Sequence, residues 1–90
     1  MLNLTDGATE AINGLVAERP GAGLRIFPQQ TENDQLRLGL AISASPEPTD
    51  EIVEQAGCHV FLDQQVAPLI DGRTLDAVPT DGDRYQFAFV

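Results

Sequence analysis

Cys58 and His59, the only cysteine and the only histidine of the sequence, are neighbours, and they are the residues best suited to chemistry. A thiol next to an imidazole can form a nucleophilic pair or contribute two ligands to a metal ion. The residues from Cys58 to Asp63 alternate in a pattern that predicts a β-strand, in which successive side chains point to opposite faces. Cys58 shares its face with Val60 and Leu62, which favours the role of a small core residue. His59 falls on the other face, where we expect an exposed strand residue.

A metal-binding or redox role for Cys58 is the alternative to this core position. In a dimer, two copies of Cys58 and of His59 would add up to four ligands for a shared iron site. Because the two side chains of one chain point to opposite faces, both could bind the same iron only across a β-bulge. The sequence therefore assigns no catalytic, cofactor-binding or metal-binding residue, and Cys58 is kept as the candidate metal ligand.

Other kinds of site lack their characteristic residues. No glycine-rich loop connects a predicted strand to a predicted helix, so the sequence does not indicate a nucleotide cofactor. Pairs of carboxylates are common, but their positions are typical of solvated side chains rather than of catalytic acids. These pairs are Glu51 with Glu54, Asp71 with Asp76, and Asp81 with Asp83. No pair of base and nucleophile is visible, and we expect the protein not to be an enzyme.

The chain is strongly acidic. Fourteen Asp and Glu residues oppose five arginines, and the net charge is −9 at pH 7. An acidic surface repels phosphate backbones and anionic lipid headgroups, so nucleic acids and membranes are poor partners, whereas a basic protein or a cation fits this charge. No apolar run approaches the roughly 20 residues that span a bilayer, and the amino terminus has no secretory pattern. We therefore expect the cytoplasm as the location.

A single helix is predicted at the start of one folded domain that spans residues 1–90. The helix runs from Thr5 to Arg19, with Thr5 or Asp6 as the N-cap and Pro20-Gly21 after its end. Its apolar face consists of Ala8, Ala11, Ile12, Leu15 and Val16.

Short strands separated by turns are predicted for the rest of the chain. They cover residues 23–28, 36–43, 51–55, 58–63, 73–78 and the segment that ends at residue 89. Two of them present uniform faces, aliphatic in Leu36, Leu38, Leu40 and Ile42, and aromatic in Tyr85, Phe87 and Phe89. Ala56-Gly57 forms a hairpin turn. The predicted fold class is mainly β (α+β), a compact β-sandwich or barrel with one N-terminal helix and a short helical turn near residues 65–70.

The order of these motifs resembles the HesB/IscA-like family, the A-type carriers of iron–sulfur cluster biogenesis. The likeness covers nearly the whole chain, and its most specific part is the succession VFLD, PLIDG and LD. The matching segments are residues 4–15, 23–26, 50–55, 57, 60–63, 69–72, 75–78 and 85–89. The resemblance implies a β-sandwich-like domain preceded by a helix, with a tendency to form dimers or tetramers.

The ligand positions of the family are not matched. The resemblance implies three cysteines, one in a Gly-Cys-Ser-Gly-type loop after the first long strand and two in a Cys-Gly-Cys tail after the last strand. The corresponding loop, residues 28–35, has no cysteine, and the sequence reaches Val90 without the tail motif. Cys58 matches no family ligand. Glu32 and Asp34 in the loop offer oxygen ligands to a hard cation, but two carboxylates alone are a weak indication.

Two hypotheses follow from this resemblance. The first is a non-enzymatic relative of the A-type carriers that binds no cluster itself and acts through protein–protein interaction. The second is a protein that retains iron or an iron–sulfur cluster through Cys58 at an interface with a second subunit or a partner. Because a shared fold does not establish a shared function, both rest on analogy.

Overall fold

Seven strands, one α-helix and one 3-10 helix form the part of the chain that the computed structural model describes, residues 1–29, 37–82 and 84–90. In chain order these are β1 (Asn3–Leu4), α1 (Asp6–Leu15), β2 (Gly23–Gln29), β3 (Arg37–Ser43), β4 (Glu51–Gln55), β5 (Cys58–Leu62), the 3-10 helix (Ala67–Leu69), β6 (Thr74–Pro79) and β7 (Tyr85–Phe89). The 3-10 helix begins and ends within residues 65–70, where the sequence predicts a short helical turn. Leu36, Glu32, Asp34 and Asp83 lie outside the described residues.

The strands form two sheets. One has the order β1-β6-β7 and the other β3-β2-β5-β4. The hairpins β2–β3, β4–β5 and β6–β7 are antiparallel, whereas β1 pairs with β6 and β2 with β5 in parallel. The mainly β fold class with one helix in front is confirmed. No helix in the described ranges is long and apolar enough to cross a membrane.

Helix α1 begins where the sequence predicts, at the N-cap Thr5, whose hydroxyl accepts a hydrogen bond of 3.1 Å from the Ala8 amide. The predicted end at Arg19 is wrong, because the helix ends at Leu15. Gly14 weakens the last turn, and Leu15 is 41% exposed, so little tertiary packing supports further helix there.

The core lies between the sheets and α1. Its aliphatic side chains come from all the main elements and include Leu4, Ile12, Ile26, Val60, Leu62, Val66 and Leu75. The predicted aliphatic face of β3 is covered only in part. Leu38 and Ile42 are half-buried, and Leu40 is 39% exposed, because β3 lies at the edge of its sheet.

The two faces of β3 carry side chains that differ in size as well as in polarity. On the face away from the core, Gly39 is paired with Phe27 of β2. A Cβ atom at residue 39 would overlap the Phe27 ring, so any larger residue would have to displace this ring. The aromatic ring thereby covers Gly39 on the outer side of β3.

Candidate functional site

Cys58 is a core residue in the structure. It follows a two-residue turn in which Ala56 and Gly57 have φ angles of 52° and 80°, as a type I′ hairpin requires. The turn places Cys58 opposite Gln55, and the cysteine is 1% exposed within the core. Burial raises the pKa of the Cys58 thiol, and backbone hydrogen bonds offset this effect only in part. The thiol is therefore protonated at neutral pH and out of reach of a solvent-borne metal ion.

His59 points away from Cys58, as strand alternation predicts. Its side chain is 33% exposed, so it is half-buried rather than fully exposed, and its Nε2 lies 3.7 Å from Oε2 of Glu54 on the adjacent strand. The ladder between β4 and β5 runs through five consecutive residue pairs. The bulge that would let Cys58 and His59 of one chain bind the same metal ion is thus missing from this hairpin.

The carboxylate pairs, which the sequence predicts to be solvated side chains, do not form a site in the described part of the chain. Glu51, Glu54, Asp71 and Asp81 are exposed, and Asp76 is half-buried where it accepts a hydrogen bond of 2.6 Å from the Thr5 hydroxyl. Among residues 1–29, 37–82 and 84–90, no three His, Cys, Asp or Glu side chains converge as metal ligands would.

A cluster that the sequence patterns do not reveal lies on the outer face of the larger sheet, around Arg25. The guanidinium donates to both carboxylate oxygens of Asp50, at 3.0 Å from Nε and 3.1 Å from Nη2, and to Asp63 at 3.2 Å. These partners are 25 and 38 residues away along the chain. Only the fold brings them together, which is why local patterns give no signal for them.

The electrostatics of this cluster are those of a structural ion pair. The Asp50 side chain is inaccessible to solvent. Burial alone would raise the pKa of Asp50, but hydrogen bonds from Arg25 and from the Glu47 amide outweigh it and hold this pKa below its usual value. The hydrogen bond with Asp50 likewise raises the pKa of Arg25. Both groups are charged and mutually satisfied, so neither is available as a proton donor or acceptor.

Asp50 ends the connection between β3 and β4, which lie at opposite edges of the same sheet. The pairings make β3 and β4 parallel, so residues 44–50 must return along the strands across one face of the sheet. The inner face is occupied by the core, which leaves the outer face. There the ion pair with Arg25 anchors the connection, and Phe61 is buried on the same face with 2% exposure. We infer that the cluster holds this crossover in place.

Comparison with known proteins gives one consistent family. No protein-family model matches the sequence. An uncharacterised protein from the nifU 5′ region of Cereibacter sphaeroides is 34% identical over 80 residues, which cover 87% of this chain and 76% of that protein. The iron–sulfur cluster assembly protein SufA of Escherichia coli is 35% identical over 78 residues, or 86% of this chain and 64% of SufA.

Solved structures agree with the sequence comparison. The crystal structure of E. coli SufA, described as involved in the biosynthesis of iron–sulfur clusters, matches with a TM-score of 0.82 and 33% identity over 99% of this chain and 78% of that one. IscA crystallised with a [2Fe-2S] cluster matches with a TM-score of 0.73 and 28% identity, over 100% of this chain and 81% of IscA. The chain belongs to the HesB/IscA-like family of proteins related to iron–sulfur cluster biogenesis.

Proposed function

We propose that this chain is a non-enzymatic, cytoplasmic member of its family that does not bind an iron–sulfur cluster itself and acts through contact with another protein. The observation that carries the proposal is the position of Cys58. It is the single cysteine of the 90-residue sequence, and its side chain lies in the core with 1% exposure.

A cluster would require donors that these residues do not supply. Iron–sulfur clusters are held by several thiolates, or by histidines in place of some of them, in a converging arrangement. Cys58 is a buried thiol with a raised pKa, and His59 lies on the opposite face of the strand. Binding through Cys58 would require β5 to open and expose core residues such as Val60. The donor set therefore does not fit a [2Fe-2S] cluster.

The alternative, an iron or iron–sulfur site that Cys58 shares with a second subunit or a partner, meets the same obstacle. A shared ligand must reach the surface where the two chains meet, and Cys58 does not reach it. The acidic charge of −9 instead favours a basic protein as the contact, because opposite charges accelerate and orient association.

The experiment is anaerobic reconstitution with ferrous iron and sulfide, followed by absorption spectra and iron determination. IscA is the positive control, and Cys58→Ala is the matched variant. We expect both the wild type and Cys58→Ala to stay colourless with equally low iron content. A stoichiometric cluster in the wild type would refute the proposal, and its loss in Cys58→Ala would establish the alternative.

A further inference from the structure

β4 lies at the edge of the larger sheet, and the direction of its backbone groups follows from the strand beside it. It is the last strand in the order β3-β2-β5-β4, so its one neighbour within the described residues is β5. The Asp63 amide, directly after β5, donates to the Ile26 carbonyl of β2. Because backbone groups alternate in direction along a strand, the odd-numbered residues of β5 bond to β2 and the even-numbered residues bond to β4.

Ile52 and Glu54 therefore direct their backbone groups away from the sheet, since they stand opposite odd-numbered residues of β5. The next outward position on each side has a partner. The Asp50 amide donates within the preceding turn, and the Ala56 carbonyl accepts a hydrogen bond from helix α1. Within residues 1–29, 37–82 and 84–90, the N–H and C=O groups of Ile52 and Glu54 have no hydrogen-bond partner. Such a row of groups can pair with a strand of another protein.

The side chains of β4 determine which strand can pair there. Glu51 and Glu54 are exposed, and Ile52 between them is 50% exposed. The Glu54 carboxylate lies 3.7 Å from His59, beyond hydrogen-bonding distance, and its side chain is 68% exposed. A second copy of the chain would bring its own net charge of −9 to these carboxylates, so the edge disfavours pairing between copies. A strand with basic and apolar side chains has the opposite charge and would cover Ile52.

We propose that β4 binds an extended basic segment of a partner protein as an additional antiparallel strand. This inference rests on the proposed function, contact with another protein, and names the surface and the chemistry of the partner. The segment exchanges backbone hydrogen bonds with Ile52 and Glu54. Its first, third and fourth residues stand opposite Glu54, Ile52 and Glu51. Charge and exposure at these positions predict a segment with the pattern basic, any residue, apolar, basic.

Fluorescence anisotropy with a labelled synthetic peptide tests this pairing. The probe is an eight-residue peptide with Lys-Thr-Val-Lys at its centre, and the matched control peptide has Glu-Thr-Val-Glu instead. We expect saturable binding of the lysine peptide, an affinity that falls with added salt, and no binding of the glutamate peptide. No binding of the lysine peptide, or equal binding of the two peptides, would overturn the proposal.

Charge reversal on β4 identifies the residues involved. Glu51→Lys and Glu54→Lys should each weaken binding of the lysine peptide about tenfold, because an attractive pair across the strands becomes repulsive. The double variant should bind the glutamate peptide instead. Asp81→Lys makes the same change in charge at an exposed turn of the smaller sheet, and it should alter the affinity by less than about twofold. An equal loss in Asp81→Lys would show that net charge alone attracts the peptide, against the proposal.

Hydrogen exchange measured by NMR tests the backbone pairing in the wild type. The amide protons of Ile52 and Glu54 should exchange at least about tenfold more slowly when the lysine peptide is bound, because they become hydrogen-bonded. Ile52→Pro removes one outward N–H, which an edge strand tolerates, and should abolish binding. Ile52→Ala keeps this N–H and should weaken binding only about threefold, through the lost apolar contact. Unchanged exchange at both amides would contradict strand addition.

These outcomes are separate from those that decide the proposed function. The peptide is added to the chain without iron or sulfide, whereas the proposed function fails if reconstitution yields a cluster. A chain that stays colourless in reconstitution and does not bind the lysine peptide would contradict the β4 site alone.

Discussion

At the scale of single residues, burial determines what the two most chemically distinctive side chains can do. Cys58 and His59 are adjacent in the sequence, yet one lies in the core and the other on the outer face next to Glu54. Their separation follows from the alternation of β5 alone. The thiol therefore contributes to packing. The imidazole has Glu54 beside it, but the described residues contain no group of three side chains that could hold a metal ion.

The reactivity of Cys58 measures this burial directly. We expect the thiol of the native protein to react with a disulfide reagent at neutral pH about a hundredfold more slowly than the thiol of the unfolded chain, since both accessibility and thiolate fraction are reduced. The measurement compares rates in buffer and in guanidinium chloride. Equal rates in the two conditions would show that Cys58 is accessible in the folded state.

Asp50 is the residue whose ionisation should matter most for stability. Its pKa is lower in the folded state than the ordinary carboxyl value of about 4, so the unfolded chain binds more protons in acid. The stabilisation is fully present above the ordinary pKa and is lost as the pH falls through the lowered pKa. At neutral pH we expect Asp50→Asn to reduce the free energy of unfolding by about 2 kcal/mol, as for a hydrogen bond to a charged group.

Urea unfolding over a series of acidic pH values checks this assignment. The stability of Asp50→Asn should fall less steeply in acid than that of the wild type. Glu51→Gln, which removes the exposed neighbouring carboxylate, should retain the steep fall. If the acid dependence of Asp50→Asn matched the wild type, Asp50 would not be the group responsible.

At the scale of elements, the hairpin of β4 and β5 is specified by its turn, but with one residue that is not optimal. A type I′ turn needs positive φ at both central positions, and here Ala56 adopts a φ of 52° before Gly57. The left-handed conformation is unfavourable for alanine because its Cβ approaches the following carbonyl oxygen. The Ala56 carbonyl also accepts a hydrogen bond from the Asn13 side chain, which fixes the turn against α1.

Replacing Ala56 by asparagine should therefore stabilise the protein. Asn-Gly is the preferred type I′ sequence, and relief of the alanine strain is worth about 1 kcal/mol. Gly57→Ala is the matched control, which should destabilise by a similar amount because its φ of 80° suits glycine. Thermal unfolding of both variants measures these changes in stability. A lower melting temperature for Ala56→Asn would show that the turn has a different conformation in solution.

The elements that the sequence predicts well are those specified by neighbouring residues. The N-cap at Thr5, the Ala56-Gly57 turn and the opposite faces of β5 all depend on short-range patterns, and all are confirmed. The two-residue strand β1 is not among the strands that the sequence predicts. It exists because Asn3 and Leu4 pair with β6, which begins 71 residues later at Thr74. The crossover and the Arg25–Asp50 pair likewise depend on contacts between residues that are far apart in the sequence. The alternation of apolar and polar residues within a segment cannot indicate such contacts.

At the scale of the whole molecule, the chain has the fold of its family but few of the side chains that could bind an iron–sulfur cluster. The fold matches the crystal structure of SufA with a TM-score of 0.82 over 99% of this chain. Iron–sulfur clusters are held by several thiolates, or by histidines in place of some of them, and this sequence has one cysteine and one histidine. The position of its one cysteine inside the core makes it part of the framework. This position supports the proposal that the chain does not bind a cluster itself and acts through contact with another protein.

Native mass spectrometry after anaerobic reconstitution tests this central claim most directly. The wild-type chain is incubated with ferrous iron and sulfide, desalted without oxygen and measured beside IscA treated in the same way. We predict masses of the unmodified polypeptide, as monomer or dimer, with no iron–sulfide adduct, while IscA shows its cluster. A wild-type species heavier by the iron and sulfide of a complete cluster would contradict the account.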